Sequence, residues 1–327
     1  MTIARALWTI AAGQAELRSE TLHARGADQA LLHMLASGIS RGTERLVLAG
    51  KVPENQWAAM RCPLQAGDFP FPVKYGYSAV ARVIEGPAAL QGKRVFCLHP
   101  HQDIFLAPAA MCVPVPDAVP DSRAVLGANM ETALNILWDA QPLPGERALV
   151  IGAGVVGLLV AYLLARIPAM AVTIIDPDVS RRATAEGLGL NFAAPEAAPS
   201  EQELIIHASA NPAGLRQALQ SAAFEARIIE ASWFGAQEVA LPLGEAFHSR
   251  RLRLISSQVG AVAPAMRGRR SFGERMAQAL GLLADPALEA LIGPATRFED
   301  LPKALPGLLN PAAGQPAPLC PLVTYGA

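Results

Sequence analysis

The chain has 327 residues, 52% of them hydrophobic and 17% charged, with a formal net charge of −1. It can bury a large core, which excludes intrinsic disorder, and it has no global cationic field to draw nucleic acid or an anionic membrane. The basic run Arg267-Gly268-Arg269-Arg270 reads as a solvated turn. Four cysteines, Cys62, Cys97, Cys112 and Cys320, lie far apart with no Cys-x-x-Cys pair. That pattern predicts free thiols in a reducing compartment, hence a cytoplasmic protein, and no structural zinc knuckle. Met1 to Arg5 lead into no signal-peptide hydrophobic stretch.

Residues 1–120 read as a domain of short β segments, with strands expected over 77–84 and 93–98, each bounded by Gly or Pro. Dense proline over 108–120 marks a boundary. From 121 the texture changes. A helix is expected over 121–140, followed by the turn Pro142-Leu143-Pro144-Gly145. Strands over 148–151, 171–175, 204–208 and 226–231 then alternate with helices over 155–167, 180–188 and 212–223. A last strand is expected over 252–256. Strand–helix alternation of this length predicts βαβ units and a doubly wound parallel sheet over 121–260. Residues 261–327 return to helix over 271–283 and end in an extended segment over 318–325.

The string Ile151-Gly152-Ala153-Gly154-Val155-Val156-Gly157 matches G-x-G-x-x-G after an apolar strand and before a helix. Gly152 suits the tight turn, Gly154 the close approach of a pyrophosphate, and Gly157 helix-on-strand packing. The amides of Val155, Val156 and Gly157 then face the anion at a helix N-terminus. The uncharged run over 148–165 is explained by a strand buried on both faces rather than by a membrane span. Asp176 follows Gly157 by 19 residues, at the end of the next apolar strand. It can accept from both ribose hydroxyls and repel a 2′-phosphate, which predicts NAD over NADP. A helix N-cap is the alternative role for Asp176. Arg181 and Arg182 leave NADP possible, by stacking on adenine or meeting a 2′-phosphate; a solvated helix face is the other reading.

On these features the chain resembles the medium-chain dehydrogenase/reductase superfamily, the alcohol dehydrogenase and quinone oxidoreductase class. The resemblance rests on Ala36-Ser37-Gly38-Ile39-Ser40-Arg41-Gly42-Thr43-Glu44, Tyr75-Gly76-Tyr77-Ser78, Gly92-Lys93-Arg94-Val95-Phe96 and the glycine fingerprint. The Ser-Gly-Ile-Ser-x-Gly-Thr-Glu string is most similar to the branch containing bacteriochlorophyllide dehydrogenases. The resemblance implies an α/β protein with a GroES-like β-rich domain, a Rossmann domain, a tail returning to the first domain, and a homodimer. It implies an NAD(P)-dependent oxidoreductase moving a hydride between nicotinamide and a carbonyl, alcohol or activated alkene in an interdomain cleft.

The departures are informative. Zinc members of the class carry Gly-Ile-Cys where this chain has Gly38-Ile39-Ser40, and Gly-His-Glu where it has Gly76-Tyr77-Ser78. The third ligand position falls near Gly127-Ala128-Asn129, and the four-cysteine lobe is missing. Hydroxyl and phenol groups hold zinc poorly at neutral pH. No catalytic or structural zinc is therefore expected, and hydrogen-bond donors must act where charge develops.

Tyr77, Ser40, Thr43, His99 and His101 are the candidates for proton handling. By resemblance Thr43 lies near the proton-relay hydroxyl; the other four have plainer alternatives, a packed aromatic for Tyr77, a turn residue for Ser40 and solvated loop imidazoles for the histidines. A metal held by His99, His101 and a carboxylate is a further reading. By resemblance Arg41 contacts the cofactor pyrophosphate or makes a surface salt bridge. Thr132 packs behind the nicotinamide ring or is an ordinary helix residue. Ser232 lies near the nicotinamide ribose; Ser257 and Gln258 lie near the carboxamide or form a polar turn. Glu44 caps the following helix or orients a donor. The competing functional class is a non-catalytic dinucleotide-binding sensor or scaffold. A small-molecule substrate is expected, with no nucleic-acid or membrane partner.

Overall fold

A computed structural model describes residues 2–312 and 315–326. The chain forms two compact units, residues 1–128 with 276–327, and residues 129–275.

The first unit is built on β-sheets. A hairpin of Ile3–Ala11 and Gln14–Thr21 joins the short strands Val73–Lys74 and Ala66–Gly67 in one sheet. A larger sheet runs in the order Ile292–Arg297, Cys320–Thr324, Gln29–Gly38, Ala79–Glu85, Arg94–Cys97, Val113–Pro114. Strand Gln29–Gly38 alternates buried and half-buried residues, the signature of one face on a core. It is long enough to serve two partners. Its first half pairs with Ile104–Pro108 and its last residues pair with Cys320–Thr324. Leu32, Met34, Ala79, Val95, Cys97, Phe105 and Cys112 pack beneath it as one cluster. The GroES-like β-rich architecture expected from the sequence is present.

The second unit holds a six-stranded, all-parallel sheet. Its order is Asn191–Ala193, Ala171–Ile175, Arg147–Ile151, Gln202–His207, Ala222–Glu230, Arg253–Ser256. The chain starts at Arg147–Ile151 and winds outward in both directions, so the strand order reverses between Arg147–Ile151 and Gln202–His207. This is the Rossmann arrangement the alternation predicts. Helix Val155–Leu164 is buried continuously from Gly157 to Leu164, which accounts for its apolar sequence. Among the described residues no helix is long and apolar enough to cross a membrane.

The expected helix over 121–140 is two helices, Asp121–Ala124 and Gly127–Ala140. Gly127 opens the second one hard against a ring: a Cβ there would lie 2.8 Å from Phe96 Cε2. Helix 180–188 is likewise a 3-10 turn, Val179–Arg181, running into Arg182–Gly187.

Candidate active site

The glycine turn leaves strand Arg147–Ile151 at the point where the strand order reverses, which is where ligands bind in sheets of this kind. Gly152 has φ +108°, a conformation that favours glycine. A Cβ on Gly157 would collide with the carbonyl oxygen of Gly152, so only glycine lets this helix start against the turn. Gly154 is exposed, and a Cβ placed there meets nothing within 4 Å. It is the N-cap of the ten-residue helix Val155–Leu164 and supplies no capping side chain. Val155 and Val156 are half-buried behind it. A helix N-terminus without a side-chain cap leaves first-turn amides unpaired by any side chain and suited to an anion. The residues fit a dinucleotide pyrophosphate.

Asp176 braces this turn. Its Oδ2 accepts from Ala153 N at 2.7 Å and its Oδ1 from Asp178 N at 2.8 Å. The carboxylate therefore fixes the loop and still has lone pairs for ribose hydroxyls. The N-cap of the following 3-10 turn is Asp178, not Asp176. Arg181 pairs with Asp178 at 3.3 Å. The Arg182 guanidinium lies 4.9 Å from the Phe192 ring centroid and donates to the Phe192 carbonyl.

Beside the turn lies a cluster in which His207, Ser209 and Glu230 were missed by sequence reasoning and Ser232 was not. His207 is fully buried, with Nδ1 2.7 Å from Glu230 Oε2 and Nε2 2.7 Å from Ser209 Oγ. Ser232 joins it: its N–H donates to Glu230 Oε1 at 2.7 Å, and its Oγ accepts from Ala210 N at 2.9 Å. The signal was available, since each of two apolar strands ends in a polar residue and the parallel register sets His207 opposite Glu230. Further along, Ser257 donates to Asp139 Oδ2 at 2.6 Å. Burial raises the Asp139 carboxyl above its ordinary range, against the opposing pull of that hydrogen bond. Gln258 Oε1 accepts from Gly260 N at 2.6 Å. The loop after Gln258 is clasped by Arg275, which donates to Val259 O, Ala261 O, Asn135 Oδ1 and Glu131 Oε1. Thr132 is half-buried on helix Gly127–Ala140.

In the first unit the structure brings Tyr77, Ser40 and Thr43 together. The Tyr77 hydroxyl donates to Ser40 Oγ, and Thr43 Oγ1 lies 3.2 Å from the same phenol oxygen. Burial pushes the phenol up to about 12, with the two hydroxyl contacts pulling the other way. Tyr77 therefore keeps its proton at neutral pH and is a donor. Ser40 is the N-cap of helix Arg41–Leu48, and its N–H donates to Glu44 Oε1 at 2.7 Å. The other Glu44 oxygen lies 3.1 Å from His101 Nε2. Glu44 thus caps the helix and faces an imidazole at once. Nδ1 of His101 is 2.7 Å from Ser37 Oγ, which is 2.8 Å from the Tyr325 hydroxyl.

The two histidines are not solvated loop residues; both are buried. His99 stacks on Phe105 with ring centroids 3.8 Å apart, and its Nδ1 meets the Pro100 carbonyl at 2.8 Å. Burial lowers its pKa to about 3, so it is a neutral packed ring. Arg41 donates to Leu308 O at 3.0 Å and Leu309 O at 3.2 Å, at the C-terminal end of helix Leu301–Leu309. Among the described residues no three His, Cys, Asp or Glu side chains group as a metal site.

No family model matches the chain, and no curated protein matches its sequence. Solved structures do. A short chain alcohol dehydrogenase from Escherichia coli CFT073, complexed with NADH, superposes with a TM-score of 0.80 at 17% identity, covering 99% of this chain and 100% of that one. The 2R,3R-butanediol dehydrogenase of Bacillus subtilis gives 0.79 at 15% identity, with coverage of 99% and 100%. A Sinorhizobium meliloti 1021 protein described as a zinc-binding dehydrogenase, bound to NADP, gives 0.78 at 18% identity, again with coverage of 99% and 100%. The chain has the medium-chain dehydrogenase fold. In this chain the glycine turn heads the parallel sheet, and the hydroxyl cluster of Tyr77, Ser40 and Thr43 belongs to the first unit.

Proposed function

We propose that the protein is an NAD(P)-dependent oxidoreductase of the medium-chain class that works without zinc. The observation that carries this is the uncapped, open helix N-terminus at Gly154, held by Asp176 at the reversal point of the parallel sheet. The fold, matched along essentially the whole chain by dehydrogenases, supports it.

When bound, a nicotinamide would give a hydride to a carbonyl or activated alkene, or take one from an alcohol. The chain's own groups do the rest. The first-turn amides of Val155, Val156 and Gly157 bind the pyrophosphate. Asp176 fixes the turn through Ala153 N, and its negative charge opposes a 2′-phosphate, so NAD is preferred. Tyr77 holds a proton at its phenol oxygen; turned away from Ser40 Oγ, that O–H donates to an oxygen that gains negative charge. Ser40 and Thr43 orient that phenol. Glu44 holds the Ser40 backbone, and His101 holds Glu44.

Zinc independence rests on the donor set: at two of the ligand positions of zinc members stand Ser40 and Tyr77, hydrogen-bonded to one another. Such oxygens are weak partners for the metal. Calorimetric titration with NADH and NADPH tests the reading. Saturable heat with NADH, and weaker binding of NADPH, is expected; no heat with either coenzyme contradicts it.

A further inference from the structure

Two of the four cysteines face each other across a strand pair. Strands Arg94–Cys97 and Val113–Pro114 are antiparallel, with Val95 opposite Pro114 and Phe96 opposite Val113. The same register sets Cys97 opposite Cys112. Val115 N donates to Arg94 O at 3.0 Å, which makes 94 and 115 a hydrogen-bonded pair. Alternation along the ladder then makes 97 and 112 a non-hydrogen-bonded pair, the kind with the closer Cα atoms and side chains. The backbone agrees: Cys112 N donates to Ala109 O, and Cys97 O accepts from His99 N. Both side chains belong to the same core cluster, so they lie on one face of the sheet. The Cα separation of such a pair, about 4.5 Å, falls inside the range that a disulfide spans.

We propose that Cys97 and Cys112 form a site of reversible disulfide formation, oxidised by hydrogen peroxide and reopened by a dithiol. The Cys112 thiolate attacks one peroxide oxygen. The O–O bond breaks, hydroxide leaves and takes a proton to become water, and Cys112 becomes a sulfenic acid. The Cys97 thiol then attacks the Cys112 sulfur. The S–O bond breaks, the S–S bond forms, and the departing hydroxyl leaves with the Cys97 proton as a second water. Two thiols are oxidised and one peroxide is reduced.

The roles follow from the surroundings. A hydrogen bond from Cys97 lowers the Cys112 thiol, and the same contact, with burial, raises Cys97. Position sets the order: Cys112, 5% exposed beside the edge strand, is the attacking group, and fully buried Cys97 is the resolving thiol. Cys112 also sits next to the two-residue edge strand of its sheet. Few ladder bonds hold that strand, so local opening admits a small oxidant. The other pair of cysteines has no such geometry in the register of the sheets. The closed loop contains His99, His101 and strand Ile104–Pro108, so oxidation ties both ends of the segment that carries the His101 contact to Glu44. The proposal does not depend on the coenzyme reading.

The full chain, reduced and freed of reductant, is exposed to hydrogen peroxide while folded, then denatured, alkylated and mapped by mass spectrometry. The expected product is a loss of about 2 Da, two hydrogen atoms, in a peptide joining Cys97 to Cys112. Dithiothreitol restores four alkylatable thiols. A double Cys62→Ser/Cys320→Ser variant gives the same linked peptide. Linkage through Cys62 or Cys320, oxidation that stops at irreversible sulfinic or sulfonic acid, or four intact thiols under peroxide that oxidises the denatured chain overturns the proposal. Because the wild-type peptide map decides the matter, the result stands even where Cys112→Ser fails to fold.

Discussion

The Glu44 carboxylate lies 3.1 Å from His101 Nε2, with both side chains buried. The pair ties the N-terminus of helix Arg41–Leu48 to the segment after strand Arg94–Cys97, and Ser37 completes the imidazole's partners on its other nitrogen. Removing the ring strands a buried carboxylate oxygen and leaves Ser37 Oγ with Tyr325 as its partner. His101→Ala is expected to destabilise the protein by about 3 kcal/mol, the usual cost of leaving buried polar partners unmet. Urea unfolding measures it, and a loss within experimental error contradicts the assigned network.

Tyr77→Phe removes one oxygen and keeps the ring. Its loss is expected to lower kcat/KM by about 100-fold, in the range for a single proton donor. NADH affinity should change far less, because the substitution touches none of the groups assigned to the coenzyme. Thr43→Val, which removes the longer of the two phenol contacts, is expected to cost less. Steady-state kinetics with any turned-over substrate, paired with a coenzyme titration, separates the two effects.

Gly154 and Gly157 give a contrast. Gly154→Ala adds a methyl group into open space at φ −73°, so Tm should hold while NADH affinity falls by about tenfold or more as the methyl meets the pyrophosphate. Gly157→Ala drives a Cβ into the Gly152 carbonyl, so it should lower Tm and affinity together. Thermal melts with and without NADH test the pair. An unchanged affinity in Gly154→Ala rules out the turn as the phosphate site.

His99 makes stability pH-dependent. Unfolded, the imidazole binds a proton near 6.5; in the folded protein burial delays this to about 3. Between these values the unfolded state binds more protons, so stability is fully present above 6.5 and is lost as pH falls toward 3. The contribution has a slope of about 1.4 kcal/mol per pH unit. His99→Phe, which keeps a ring against Phe105, should remove that slope from urea midpoints measured between pH 6.5 and 4.

The Rossmann unit was legible because its rules are local. An apolar strand, three spaced glycines, a helix and an acid after the next strand sit in one stretch of chain, and buried parallel strands read as apolar runs. Short elements were not legible. Strand Asn191–Ala193 has three residues, and helix Leu301–Leu309 carries Pro302 and Pro306, which argue against a helix on sequence alone. The residues around Tyr77 were found through the ligand positions they replace. Their partners were not, because the Ser37 and Tyr325 side chains meet only after strand Cys320–Thr324 pairs with Gln29–Gly38. Arg41 shows the reverse. The resemblance suggested a phosphate contact or a surface salt bridge, and its guanidinium also donates to the carbonyls of a helix end far along the chain.

The central claim is hydride transfer with organic donors in place of a metal. The direct measurement is absorbance at 340 nm when protein stripped by chelator, and shown metal-free by elemental analysis, is mixed with NADH and a broad panel of aldehydes, ketones and activated alkenes. The account predicts decay of the NADH band with at least one member of the panel, and no gain on adding zinc. Tight NADH binding with no decay under any substrate, or decay that appears only once zinc is restored, contradicts it.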